Sequence, residues 1–401
     1  MEKVTILPLF ISTVFRTLPI IFKGKHKLNL IWLILMYALG VGGHKLKGMD
    51  KHAPAHITEY RFRRFLSAAY WNMRTVMLFL AGELLTVLPA PEDKTLYVVV
   101  DASKKEKRSK KNPFGQKGKE GVKKGYFFGV RFIVLMLQWN GFRVPIDFEL
   151  IYPKGHPKYE RENALFRKML RRFEPPKWAS RIIVLADAAY ASKDNFKLIK
   201  EMGYKDRKRG IQWGYVMAMA KTWKLDDKTN LKSYIRHVTH SCFKRTIFNP
   251  ITGNQKKSYW VFAKKLHLRH VGDVTIVLSK KRRNSGPKST KVIVTNLPEI
   301  TARQVVSIYQ RRFMVEVLFR ELKSHLGLGK QQVTRDERRV RNSFGISFLA
   351  YLMILKLQHE NIVQGKSWSI AKLQENLRYR VFKNQVSHER KLLINSLGKA
   401  A

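Results

Sequence analysis

The chain has 401 residues, 45% of them hydrophobic, with 78 Lys and Arg against 29 Asp and Glu, for a formal net charge of +49. That length allows a sizeable core and two or more domains. The charge excludes a partnerless protein and calls for a polyanion, most simply nucleic acid bound through its phosphates with release of counterions. A ribosome-like packing protein or a protein of an anionic membrane surface would answer the charge alone, but a mixed folded-domain pattern follows along the chain. A single cysteine, Cys242, excludes an internal disulfide and fits a reducing, cytoplasmic setting.

The apolar stretch "TILPLFISTVFRTLPIIF" is broken by Pro8, Arg16 and Pro19 and has no small-residue cleavage site. Leu28–Val41 is apolar but shorter than the roughly 20 residues of a membrane span, so it reads as a buried core helix stopped by Gly42 and Gly43. In "ITEYRFRRFLSAAYW", Thr58 is placed to cap a helix whose Ile57, Phe62, Phe65 and Leu66 face a core. Arg61, Arg63 and Arg64 then project outward. With the preceding helix this is either a helix-turn-helix DNA reader or a helical domain with a solvated basic face. Residues 1–90 are expected to form one helical DNA-binding domain, and "PAPED" a linker.

The pattern then turns to strands. "LYVVVDAS" is a β-rich run ending in Asp101, and "GYFFGVRFIVLMLQW" and "FRVPIDFELIYP" are two more strands. Between them lies a basic loop with Lys104, Lys105, Lys123 and Lys124 among its ten cations, expected to be a mobile hairpin that orders on DNA or a merely solvated loop. It lacks the Ser or Thr of a phosphate loop. "RENALFRKMLRRF" has a helical period. "RIIVLADAAYAS" is again an apolar strand ending in an acid, Asp187, with a helix expected over 192–202. Such strand ends are where α/β proteins place ligands and chemistry. The histidines of "HVTHSC" and "HLRH" lack the CxxC pair of a zinc ribbon and read as surface groups.

Further on, "YQRRFMVEVLFRELK" holds Tyr309, Arg312, Glu316 and Lys323. On one helix these offsets fall within an arc of roughly 60°. An internal Arg312–Glu316 salt bridge would explain that pair, but not the matched acids Asp101 and Asp187. Three carboxylates together need a counter-charge. Divalent cations supply it, and two such ions can drive an in-line displacement at a phosphate. Arg312 and Lys323 would then hold phosphate oxygens, with Tyr309 packing or hydrogen-bonding beside them.

The spacing Tyr309-x2-Arg312-x3-Glu316-x6-Lys323 resembles the Y-R-E-K signature of the insertion-sequence-four family of transposases, and "DAAY" and "LYVVVD" resemble that family's first two acid motifs. The resemblance covers about residues 94–329. It implies an α/β, ribonuclease-H-like catalytic domain at 94–330 with a β-rich insertion at about 204–290, flanked by helical N- and C-terminal regions. The region 331–401 would be a basic helical tail adding DNA contacts or a protein–protein surface. It further implies Asp101, Asp187 and Glu316 as catalytic ligands of two Mg²⁺ or Mn²⁺ ions. Tyr309, Arg312 and Lys323 would be DNA-positioning groups, and the partner would be double-stranded DNA at element ends and target, with a homodimer forming on DNA and no membrane. In some relatives an insertion aromatic stacks on a flipped base; Trp213, Trp223, Tyr259 and Trp260 are candidates here. A metal nuclease without strand joining, or a catalytically silent DNA-binding regulator, remain alternatives.

Overall fold

A computed structural model describes residues 24–69, 71–107, 110–119, 125–249, 256–331, 335–359 and 369–397. The apolar stretch ending at Phe22, and the candidate DNA contacts Lys123 and Lys124, lie outside the described residues. The chain is an α/β protein built on one large mixed sheet with helical layers.

Helix α1 (Gly24–Leu39) is buried nearly all round over Leu30–Leu39, as expected of a core helix rather than an amphipathic one. It ends two residues earlier than anticipated. Gly40 takes the left-handed conformation (φ 67°) that stops a helix, and Gly42 and Gly43, also left-handed, shape the turn that follows. After the single turn α2 (Leu46–Met49), α3 (Glu59–Ala68) starts at Thr58, whose hydroxyl accepts from the Arg61 N–H. Phe62, Phe65 and Leu66 are buried, while Arg61, Arg63 and Arg64 are exposed. Residues 40–58 separate α1 from α3, too many for the 3–4-residue turn of a helix-turn-helix, so that expectation is corrected. Helix α4 (Met73–Val87) follows after a short turn.

The first strand, β1 (Thr95–Glu106), runs on past Asp101. Asp101 therefore lies within the strand, not at its end, because β3 (Tyr126–Trp139) pairs with β1 as far as Glu106–Gly129. The expected open basic loop is also corrected in part: Lys104 and Lys105 belong to β1, and β2 (Gly115–Lys119) pairs with β3. Lys107 is buried, and its Nζ donates to the carbonyls of Gly329 and Gln331. Strand β4 (Phe142–Ile151) pairs with β3 through a register shift beside Pro145, consistent with proline's confinement to edges and bulges. Helix α5 (Glu162–Arg172), β5 (Arg181–Ala186), α6 (Lys193–Asp206) and β6 (Gln212–Ala218) follow, with β5 parallel to both β1 and β6.

Next come the short α7 (Leu231–His237) and the antiparallel β7 (Lys244–Phe248), β8 (Lys257–Leu268) and β9 (Gly272–Lys280). Strand β10 (Lys291–Thr295) pairs with both β9 and β6, so these strands extend the central sheet rather than form a separate body. Helices α8 (Ala302–Gln310), α9 (Phe313–Ser324), α10 (Glu337–His359) and α11 (Ile370–Leu397) complete the chain. Helix α10 is long and apolar enough to cross a bilayer, but it is buried inside the protein from Asn342 to Leu355. It touches α1, α3, α4 and β4, so this part of the tail is central core rather than a peripheral basic surface.

Candidate active site

Strand β5 delivers Asp187 as its apolar run ends. The carboxylate caps the following single turn by accepting from the Ala188 N–H at 2.8 Å. Asp101, on the neighbouring parallel strand, likewise accepts from the Ala102 N–H at 2.8 Å. Helix α9 brings the third acid, Glu316. Its apolar face, including Val315, Leu318 and Leu322, is buried, and Phe319 packs edge-on against Phe132 of β3. A buried pair, Arg143 of β4 and Glu321 at 3.2 Å, fixes the helix further.

The expected single helix through Tyr309 and Lys323 is interrupted. Arg311 and Arg312 lie between α8 and α9, where Arg311 and Arg312 donate backbone bonds to the residues three before them. These tighter bonds overwind the chain locally. Tyr309 ends up buried on α8, while Arg312 turns toward the acids. Its Nη1 donates to Asp101 Oδ2 at 2.6 Å and its Nη2 to Glu316 Oε1 at 2.7 Å. One guanidinium thus joins the β1 acid to the α9 acid. The i,i+4 ion pair anticipated as an alternative is present, as part of this larger group.

The electrostatics of the group follow from burial and convergence. Burial pushes the Asp101 carboxyl up to about 6; Arg312 and the Ala102 N–H oppose this, and the charges of Asp187 and Glu316 add to it. Burial disfavours the charged form of Arg312, but Tyr309, Asp101, Asp187 and Glu316 outweigh it and hold the guanidinium charged. Burial raises the Tyr309 phenol to about 12. All three acids therefore act on one locus. Among the described residues, no three His, Cys, Asp or Glu side chains gather closely enough to hold an ion as they stand, and Arg312 stands between two of the three acids. Hard carboxylate oxygens are the donor chemistry that Mg²⁺ takes, and a cation taking the place of the guanidinium would keep the charge balanced, so the donor set fits such an ion once Arg312 turns aside.

Lys323 donates to Ser103 Oγ at 2.7 Å, two residues beyond Asp101 on β1. Its ammonium is lowered to about 8 by burial and by Lys105 and Lys104, so those three cations share one neighbourhood. Arg61, Arg63 and Arg64 lie on α3, with Arg63 paired to Glu59. Two groups at the site were not anticipated. Ser103 could have been found from its i,i+2 position, which puts it on the same strand face as Asp101. Lys291 of β10 places its Nζ 4.5 Å from the centre of the Tyr309 ring; no local sequence signal marks it. Lys291 also lines a cavity of about 250 Å³ with Tyr309, Arg312 and Tyr259. Of the other insertion aromatics, Trp213 donates to Asp206, Trp223 packs on Phe196, and Trp260 lies under Arg283. The anticipated surface histidines are engaged locally, His240 with the Arg283 carbonyl and His267 with Asp273.

Fold and site together define an α/β protein of ribonuclease-H-like architecture, with carboxylates from two parallel strands and a helix converging on one point. The transposase DDE domain family matches residues 86–353, well over half of the chain, and the chain belongs to that family. Its fold resembles a solved piggyBac transposase in a synaptic complex with hairpin DNA, at a TM-score of 0.50 and 10% identity, over 96% of this chain and 77% of that one. No curated protein matches it.

Proposed function

We propose that this chain is a transposase of the insertion-sequence-four, Y-R-E-K type, which cuts DNA strands at the ends of its own mobile element and joins them to target DNA. The observation that carries this reading is the guanidinium of Arg312 gathering Asp101 and Glu316, with Asp187 near enough to act on both Asp101 and Arg312. Bound to Asp101, Asp187 and Glu316, two Mg²⁺ or Mn²⁺ ions would supply an activated water or 3′-hydroxyl and charge stabilisation at the leaving oxygen. Arg312, released from the acids, forks onto phosphate oxygens in the geometry that suits a guanidinium. Tyr309 supports it from below, and Lys323, held by Ser103 beside Lys104 and Lys105, fixes the next stretch of backbone. Lys123 and Lys124 would add further DNA contacts.

In this reading residues 1–90 form the helical unit that reads the terminal repeats through Arg61, Arg63 and Arg64. Residues 94–330 form the catalytic domain with its β-rich insertion at about 204–290, and 331–401 the C-terminal helical region. Two ends cut together need two active sites, so the protein works as a homodimer assembled on double-stranded DNA, at the nucleoid in the cytoplasm. The test is a cleavage assay on a duplex carrying the inverted repeats that flank the gene, with Asp101→Asn, Asp187→Asn and Glu316→Gln compared at fixed salt. Each amide is expected to abolish Mg²⁺-dependent cutting while binding stays within about threefold, because affinity comes from Lys and Arg. Wild-type cutting by any one variant removes that residue from the catalytic set.

A further inference from the structure

A groove lies away from the acids. A cavity of about 680 Å³ opens between α6 and the turn joining β8 to β9. Lys193, Lys197 and Lys200 line one wall, His270 and Gly272 the other, and Tyr215 is part of the floor. The three lysines are exposed. Their positions fall within an arc of about 60° on the helix, and Tyr204 continues the same stripe. Tyr204 is 63% exposed, with the Lys200 Nζ 6.0 Å from its ring centre.

Two carboxylates, Asp194 and Asp273, also line the groove, each with a basic neighbour of its own. Asp194 is turned to Arg167 at 3.9 Å and Asp273 to His267 at 2.8 Å. Lys197 has Glu201 at 3.9 Å, an exposed pair of little energetic worth. Lys193 and Lys200 have no carboxylate partner among the described residues. The stripe begins six positions after Asp187 and leads away from it along α6.

We infer that this groove binds the phosphate backbone of duplex DNA, as a track for the stretch that leads away from the active site; the inference rests on the transposase reading. The spacing suits the ligand. Lys193 to Lys200 spans about 10 Å along the helix axis, which is about three base-pair steps of one DNA strand. Three lysines on one line can each meet a phosphate of that stretch, and Tyr204 offers a ring at the far end.

The test measures binding of the full-length protein to a random-sequence duplex in EDTA, where no cutting occurs, over a range of salt. The triple variant Lys193→Gln, Lys197→Gln, Lys200→Gln is expected to lower the slope of log affinity against log salt by about 2–3 units, at about 0.9 per lost contact. An unchanged slope overturns the groove and leaves the transposase reading standing; a wild-type protein that shows no salt-dependent duplex binding overturns both. Lysine acetylation footprinting of the wild-type protein gives an answer independent of how the variant folds. Bound duplex is expected to protect Lys193, Lys197 and Lys200, and equal labelling with and without DNA would overturn the inference.

Discussion

Arg312 reaches Asp101 at 2.6 Å, across a separation of 211 positions in the chain. The contact ties the overwound turn between α8 and α9 to the middle of β1. Asp101 still titrates at about 6, above an ordinary carboxyl, because burial outweighs the guanidinium. Between about pH 4 and 6 the native state therefore holds a proton that the unfolded chain releases, and Asp101 subtracts stability as pH rises through that window. In metal-free buffer, Asp101→Asn is expected to flatten this part of the stability–pH curve and to melt no lower than wild type at pH 7. Arg312→Ala should move the Asp101 titration higher still, read by carboxyl NMR. A melting temperature for Asp101→Asn well below wild type at pH 7 would show that the acid stabilises the fold.

A different pH dependence is expected at His44. It is buried at the end of the turn after α1, in a left-handed conformation (φ 61°), with its Nε2 3.2 Å from the Tyr37 carbonyl. Burial, then Lys330 and Arg378, lower its pKa to about 4, against the backbone carbonyls of Tyr37 and His325. The unfolded chain thus binds a proton below about 6.5 that the native state refuses until about 4, so acidification across that window removes stability. His44→Asn keeps a residue that tolerates positive φ and should weaken the acid sensitivity. Identical slopes for the two proteins between pH 4 and 6.5, by chemical denaturation, would place the sensitivity elsewhere.

A third expectation concerns the junction of the helical layers with the sheet. Glu149 of β4 is 8% exposed and accepts from Arg74 of α4, Arg172 of α5 and Arg341 of α10, the last at 2.6 Å. Asp147 shares Arg74 at 3.0 Å and Arg172 at 3.3 Å. Burial would raise the Glu149 carboxyl, but Arg341, Arg74 and Arg172 outweigh it and hold it ionised. Glu149→Ala leaves the partly buried Arg341 without its carboxylate and Arg74 and Arg172 to share Asp147, and is expected to cost up to about 3 kcal/mol. Urea unfolding should show this as a lower midpoint, and a midpoint equal to wild type would mean that water or Asp147 takes over the pairing.

Local signals made much of this molecule legible. Thr58 is the anticipated cap, its side chain accepting from the Arg61 N–H, and Asp187 stands where an apolar run stops. Most of the misreadings depended on distant partners. Asp101 looked like a strand end because Lys104, Lys105 and Glu106 read as a loop; pairing with β3 makes them strand. Lys107 looked like one more solvated cation, yet its carbonyl partners lie beyond α9. The turn at Arg311–Arg312 interrupts a stretch of good helix formers, so periodicity ran straight through it. Helix α10 carries enough Arg at its start to suggest a surface, but it is buried by four elements from across the chain.

The α3 arginines give the last prediction, because the structure ranks them. Arg63 is held by Glu59 one turn earlier, and Arg61 donates to the His56 carbonyl at 2.6 Å. Arg64 is exposed and has no carboxylate partner among the described residues. If this face reads the element's terminal repeat, Arg64 is the side chain able to reach a base edge without breaking an existing bond, and Arg61 and Arg63 serve the backbone. A guanidinium on a base edge discriminates by about 1–3 kcal/mol, whereas a phosphate contact weakens all sequences alike. Arg64→Ala is therefore expected to reduce the ratio of terminal-repeat to random-duplex affinity by about fivefold or more at fixed salt. Arg61→Ala and Arg63→Ala should lower both affinities and leave the ratio near wild type. Phe62 and Phe65, fully buried on the opposite side, should affect folding instead, at about 3–5 kcal/mol each for substitution by Ala. A ratio unchanged in the Arg64 variant would move repeat recognition off α3 and leave its arginines as a nonspecific clamp.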